Sequence, residues 1–218
     1  MNLAERTIAV TGATGFLGRY ISTALLKRRA RVVGAVRSLE RGADLSDQGV
    51  VLRTADLLDA AALRSAFQGV DAVVANAALI LADQKSDFVR INVDGMGNLL
   101  RAAVEANVRR LLVVSTVSIY RHNGKNNDEN ATQVPYTEEM LQRQPYGATK
   151  AQAEVLAWNA ADKAGLEVTT VRPGYIYGRG AHVIETFRAW LGGPVALIPC
   201  YRRIPLAYAG DVAEAIVR

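Results

Sequence analysis

The 218 residues, half of them apolar and 22% charged, suffice for a substantial core in one domain, or one domain with a small appendage, and the single cysteine, Cys200, excludes an internal disulfide and a cysteine-based zinc cluster. A formal charge of +5 would suit a nucleic-acid partner, but the basic residues are scattered, Lys27-Arg28-Arg29-Ala30-Arg31 and Arg109-Arg110 fall where helices end and complement their dipoles, and no aromatic–basic interleaving exists, so an anionic cofactor is the expected partner and nucleic acid is not. No apolar run is long enough to span a bilayer, and Met1-Asn2-Leu3-Ala4-Glu5-Arg6 leads straight into an apolar strand without a secretory pattern, which makes the cytoplasm the expected compartment.

Residues 7–11 read as a short apolar strand, followed by glycines and a helix over about 16–29. Further apolar runs cover 32–36 and 50–54, then 59–68 reads as helix and 71–75 as strand. Apolar spacing predicts one long helix over about 87–107, which delivers the chain to a strand at 111–115. The polar, turn-rich stretch from Arg121 to Gln144 is expected as a long surface loop, either beside an active site or without any contact to substrate. A helix over 146–164 and a strand over 167–172 follow. Beyond Gly178 the periodicity weakens to a helix at 184–191, a short strand at 196–199 and the start of a helix at Asp211. Apolar strands alternating with helices indicate a parallel sheet covered on both faces, and right-handed crossovers make it a doubly wound α/β fold of Rossmann type. The last helix has neither a glycine stop nor a cap, so the chain reads as ending before its architecture is finished.

The turn Thr11-Gly12-Ala13-Thr14-Gly15-Phe16-Leu17-Gly18 follows the first strand and opens a helix. Gly12 permits a tight turn, Gly15 lets the backbone approach a pyrophosphate, and Gly18 lets the helix pack closely on the sheet. The helix N-terminus offers free N–H groups and a positive dipole end to the phosphates. The alternative is a set of glycines serving only a turn. After the second strand an acidic residue would bind ribose hydroxyls, whereas an arginine would accept a 2′-phosphate. Here the sequence is Val36-Arg37-Ser38, with no carboxylate, so Arg37, helped by Ser38 and Arg41, is expected to select NADP over NAD; the alternative is a solvated surface arginine. Asp56-Leu57 would bring a carboxylate near the adenine, or Asp56 would cap the next helix; Asn76-Ala77-Ala78 offers small residues where the backbone must pass the cofactor.

Tyr146 and Lys150 stand four apart at the start of a helix, on one face. A free tyrosine ionises near 10 and is a poor acid–base group at neutral pH; a nearby ammonium is expected to bring it down and to hydrogen-bond the nicotinamide ribose. Tyr146 would then give a proton to a carbonyl oxygen or take one from an alcohol. One hydroxyl of Ser115-Thr116-Val117-Ser118, at the end of the fifth strand, would hold the substrate oxygen beside it. Asn92 would bind a water in a proton relay or brace the backbone. Trp158 and Trp190 are expected to pack on helix faces, His122 and His182 to be solvated, and no metal site can be assembled at recognisable spacing.

In order and spacing, the glycine turn, Asp56-Leu57, Asn92-Val93-Asp94-Gly95, the hydroxyl cluster, Tyr146-x-x-x-Lys150 and Arg172-Pro173-Gly174-Tyr175-Ile176-Tyr177-Gly178 resemble the extended short-chain dehydrogenase/reductases, the NAD(P)-dependent epimerase/dehydratase superfamily. The look is nearest to the 3β-hydroxysteroid dehydrogenase and dihydroflavonol reductase branches. The resemblance selects Thr116 as the catalytic hydroxyl, puts Pro173 beside the nicotinamide and assigns Ser118 and Tyr175 to the substrate side. It implies an NAD(P)-binding Rossmann domain over 1–174 and a partial substrate-binding region over 175–218 that returns to the core near 205–218. It also implies a homodimer through the helices carrying Asn92 and Tyr146. Val117 and Ser118 stand where sugar-nucleotide dehydratases carry Asp and Glu, which argues against dehydration. An NADP-dependent oxidoreductase acting on a carbonyl/alcohol pair in a fairly apolar substrate is therefore expected, with a sugar-nucleotide epimerase as the alternative enzyme and a non-catalytic NADP-binding sensor or scaffold as the alternative of another class.

Overall fold

The structure, a computed structural model, describes residues 3–121, 128–181 and 205–218. His122, His182, Trp190, Cys200, the helix expected at 184–191 and the strand expected at 196–199 lie outside the described residues. Six strands form one parallel sheet: β1 (Thr7–Thr11), β2 (Arg31–Val36), β3 (Val51–Thr54), β4 (Ala72–Ala75), β5 (Arg110–Val114) and β6 (Glu167–Val171). Their order is β3-β2-β1-β4-β5-β6. The chain reverses direction across the sheet between β1 and β4, and the carboxyl ends of those two strands border a crevice of the kind where ligands of open parallel sheets bind.

The central strands alternate sides although they are largely apolar, whereas the edge strands β3 and β6 also carry Arg53, Glu167, Thr169 and Thr170. Ile8 and Val10 of β1 face one layer and Ala9 the other, a consequence of the two-residue period. The first layer holds α1 (Phe16–Lys27), Leu45 of the short α2 (Ala43–Asp47) and the last described helix, which we number α8 (Ala209–Ile216). The second layer holds α3 (Ala60–Ala66), α5 (Gly95–Glu105) and α7 (Pro145–Ala164). Fully buried Phe67, Leu63, Leu99 and Leu111 centre that second layer, each contributing about 1.5–3 kcal/mol relative to exposure. Helix α8 begins at Ala209, ahead of the expected Asp211, and Arg28 of the α1 C-cap ties it down by bonds to Glu214 (2.8 Å) and to the Val217 carbonyl (2.9 Å). Among the described residues no helix is long and apolar enough to cross a membrane.

The long helix expected over 87–107 is three pieces: α4 (Lys85–Phe88), a π turn over Val89–Asp94, and α5. Apolar periodicity does not register one residue inserted into a turn, and Asn92 sits in that turn. The loop expected from Arg121 to Gln144 contains α6 (Glu138–Arg143). Its Thr137 cap accepts from the Met140 N–H at 3.3 Å, and Glu139–Arg143 pair along its surface. With no buried residue, this helix leaves no apolar pattern to read. Two three-residue strands, β7 (Tyr175–Tyr177) and β8 (Leu206–Tyr208), form a separate parallel pair and are too short to announce themselves. Trp158 lies on α7 but is 44% exposed, not packed away as expected.

Candidate active site

The phosphate turn follows from its glycines. Gly12 sits at φ +65°, the left-handed region that glycine adopts without strain, and its N–H donates to the Ala35 carbonyl at 3.2 Å. A Cβ on Gly12 would stand 3.1 Å from the Ala77 backbone. A Cβ on Gly18 would collide with the Gly12 carbonyl and stand 2.8 Å from Ala13 Cα, which is why α1 can begin so close to the loop. The N-cap, Gly15, is exposed, no side chain caps the helix, and its first turn carries no acidic residue. The N–H groups around Thr14, Gly15, Phe16 and Leu17 thus lie at an uncapped positive end beside the strand reversal. Thr11 binds the two sides of that reversal: its hydroxyl accepts from the Asn76 and Ala77 N–H groups, both at 3.1 Å, while Asn76 Nδ2 donates to the Thr11 and Gly12 carbonyls.

Arg37 is exposed at the carboxyl end of β2 and has no partner among the described residues, with half-buried Ser38 next to it. Of the two roles open to Asp56, the helix cap belongs to Asp59, whose carboxylate accepts from the Ala62 N–H at 2.9 Å. Asp56 instead accepts from the Leu58 N–H at 2.8 Å in its own turn. Leu57 packs where α5 begins; a Cβ on Gly95 would sit 2.9 Å from the Leu57 Cβ. Leu57, Ala77, Ala78, Asn92 and Lys150 line one small cavity, so the residues read from four separate segments do converge.

The reacting groups lie past β5. Thr116 caps a 3-10 turn, Val117–Ile119, accepting from the Ser118 N–H at 3.2 Å and donating to the Ser118 hydroxyl at 3.3 Å. A hydrogen bond with Thr116 holds the Tyr146 phenol lower than burial alone would, yet burial dominates and pushes Tyr146 up to about 12. The lowering by Lys150 expected from their spacing is not found. Lys150 is 3% exposed and its ammonium donates to the Val114 carbonyl at 2.7 Å. Burial brings it down to about 8, opposed by the negative charge of Glu154. Asn92 makes the bonds of a brace: its oxygen accepts from the Leu79 N–H at 2.8 Å, and its amide donates to the Leu79 carbonyl at 3.0 Å and to the Thr149 hydroxyl at 3.2 Å. Buried Pro173 accepts from the Val117 N–H at 3.0 Å, so it lies against the Thr116 turn, while Tyr175 is 45% exposed on β7.

Gly147 and Glu154 carry roles that the sequence did not announce, and Ser115, one of the candidate hydroxyls, stands apart from its neighbours. Gly147, inside the Tyr-to-Lys spacing, is where α7 crosses the Ser118 backbone, and a Cβ there would collide with the Ser118 carbonyl. Ser115 is 3% exposed with a hydroxyl that lacks a partner among the described residues, at the carboxyl end of β5. Glu154, 1% exposed, forms a forked ion pair with Arg172 at 2.6–3.2 Å. Glu154 shares the buried side of α7 with Lys150, one turn earlier, and with Ala151 and Ala157.

A sequence model of the NAD dependent epimerase/dehydratase family matches residues 8–218. The chain belongs to that family. It is 36% identical over 175 residues to the 2-alkyl-3-oxoalkanoate reductase of Stenotrophomonas maltophilia (strain K279a), covering 79% of this chain and 52% of that protein. It is also 33% identical over 236 residues to UDP-glucuronate 4-epimerase 1 of Arabidopsis thaliana, covering 97% of this chain and 53% of that protein. The chain thus spans about half the length of these curated relatives. The fold matches a UDP-glucuronic acid 4-epimerase from Bacillus cereus, solved with UDP-glucuronic acid and NAD, at TM-score 0.77 and 21% identity, covering 97% of this chain and 72% of that one. Within the family, the glycine turn, the Thr116 turn and the Tyr146–Lys150 helix are the parts that this chain assembles at the carboxyl edge of its sheet.

Proposed function

We propose that the protein is an NAD(P)-dependent oxidoreductase that interconverts a carbonyl and an alcohol, with Tyr146 as the acid and base. The observation that carries this reading is that Tyr146 and Thr116 stand side by side at the sheet edge where the uncapped glycine turn also lies. The residues present fit a dinucleotide. The glycine cradle would be closed by any Cβ at Gly12 or Gly18, and the orphaned Ser115 hydroxyl is the kind of group a bound ligand satisfies. Thr14, Phe16, Leu17 and Gly18 would hold the pyrophosphate through backbone N–H groups, while Gly12 and Gly15, whose N–H groups are taken by the Ala35 and Gly12 carbonyls, would let the backbone approach it. Asp56 and Leu57 would border the adenine, Asn76, Ala77 and Ala78 would pass beneath the cofactor, and Pro173 would border the nicotinamide. The nicotinamide supplies or accepts the hydride.

The remaining chemistry belongs to the chain. Thr116 and Tyr146 hold the substrate oxygen between two hydroxyls, and Tyr146, which is protonated at neutral pH, gives that oxygen its proton in reduction. Lys150 has three donors and uses one on Val114, leaving others for a ribose hydroxyl. Ser118 and Tyr175 flank the substrate side.

Arg37 directs the choice to NADP over NAD in this reading. Arg37→Ala should raise the KM for NADP by about 10-fold or more, the scale of one hydrogen bond between charged groups, and leave the KM for NAD nearly unchanged. Steady-state kinetics with both cofactors checks this; a wild-type preference for NAD would contradict it, and NAD is what the Bacillus cereus structure is named as holding. A second reading, sugar-nucleotide epimerisation, is supported by the likeness to the Arabidopsis epimerase over 97% of this chain. It would use the same residues with no net consumption of cofactor. Turnover of a panel of ketones and aldehydes, set beside UDP-sugars, separates the two; tight NADPH binding with neither turnover would favour a sensor.

A further inference from the structure

We propose that Glu154, Arg172 and Tyr120 form a positioning clamp that sets the separation between the two segments carrying the reacting hydroxyls; the inference rests on the reading of Tyr146 and Thr116 given above. One guanidinium touches both segments. On one side, Arg172 Nε and Nη2 fork onto the Glu154 carboxylate, on the buried face of α7, one turn beyond Lys150 and two beyond Tyr146. On the other, Arg172 Nη1 donates to the Tyr120 hydroxyl at 2.7 Å and lies over its ring at 5.4 Å. Tyr120 ends the turn that Thr116 begins.

The same nitrogen of Arg172 donates to the Glu129 carbonyl at 3.1 Å, tethering the returning loop. The residue after Arg172 completes the frame, because the Pro173 carbonyl accepts from the Val117 N–H. Glu154 and Tyr120 are 1% and 6% exposed, so the clamp is held by packing as well as by its hydrogen bonds. Neither residue reaches the Tyr146 hydroxyl among the bonds described; they act through the segments they hold. A fork of this kind is specific to the guanidinium, since a lysine in its place would offer a point charge without two parallel donors.

The mildest probe is Tyr120→Phe, which keeps the ring and removes only the hydroxyl; Arg172→Lys keeps the charge and removes the fork. For both we expect kcat to fall by about 10-fold, since small misplacements of reacting groups cost rates on that scale, while KM and the Kd for NADPH stay within about two-fold. Combining Tyr120→Phe with Glu154→Gln should lower kcat by less than the product of the single effects, as for residues sharing one network. Amide hydrogen exchange of the variants supplies a reading without turnover: exchange of Ser115 to Tyr120 should quicken by about 10-fold with that of β1 and β4 unchanged. Wild-type kcat together with unchanged exchange in both single variants would overturn the clamp. If the wild type turns over no carbonyl compound, the functional reading fails on its own, and the exchange result still decides the clamp: quickening supports it and unchanged exchange refutes it.

Discussion

Replacing Tyr146 with phenylalanine is expected to lower kcat by about 10²–10⁴-fold, the usual contribution of a positioned acid–base group, while the protein stays folded and binds NADPH as before. The ring remains in its half-buried place on α7 and only the hydroxyl beside Thr116 is lost. Thr116→Val should act in the same direction, because it removes the second hydroxyl from the substrate oxygen. The pH profile adds a sign. Tyr146 sits up at about 12 and stays protonated through the ordinary range, so its own ionisation does not limit reduction near neutrality. Lys150 sits down at about 8, and its charged form is the one below that value. The KM for NADPH should therefore be level on the acid side and rise as pH rises through about 8, where Lys150 loses its charge. Steady-state kinetics across pH checks both statements. A Tyr146→Phe variant with wild-type kcat would remove Tyr146 from the chemistry.

Glu154→Ala is expected to cost stability on the scale of breaking a buried ion pair. Arg172 would keep a guanidinium whose side chain is only 17% exposed without its carboxylate. Breaking such a pair costs roughly 3–5 kcal/mol, because the remaining charge is buried uncompensated, and about 2–4 °C of Tm accompanies each kcal/mol in a chain of this size. A fall in Tm of roughly 6–20 °C follows from those two figures. Replacing both partners by apolar residues of similar volume, Glu154→Leu with Arg172→Met, should recover most of that loss. It should not recover kcat, since Arg172→Met takes away the donor to the Tyr120 hydroxyl and the Glu129 carbonyl. Thermal unfolding and kcat measured on the same two variants test this; a Tm within about 1 °C of wild type for Glu154→Ala, less than the shift expected for a single kcal/mol, would contradict it.

The parallel sheet and the glycine turn were legible because each rests on local chemistry: apolar runs of strand length, and glycines at positions where the structure has no room for a Cβ, most plainly Gly18. Tyr146 and Lys150 were legible as a spacing, but their electrostatics were not. Spacing along a helix does not say that the lysine ammonium is drawn to the Val114 carbonyl, nor that burial outweighs every nearby charge on the phenol. The Asn92 brace was hidden by a π turn, which inserts a residue without disturbing an apolar pattern. The Glu154–Arg172 pair joins residues 18 apart in sequence through a contact that only the docking of α7 on the sheet creates. Helix α6 left only Met140 and Leu141 as an apolar trace, too little for a period, because none of its residues is fully buried.

The most direct measurement follows the hydride itself. NADPH carrying deuterium at the transferable nicotinamide position is incubated with the protein and a panel of ketones and aldehydes, and the products are read by mass spectrometry. The account predicts one deuterium on the carbinol carbon of a reduced product, with the yield falling by about 10²-fold or more in Tyr146→Phe. Bound NADPH that keeps its label in the presence of every carbonyl compound, or equal labelling by the wild type and Tyr146→Phe, would contradict it.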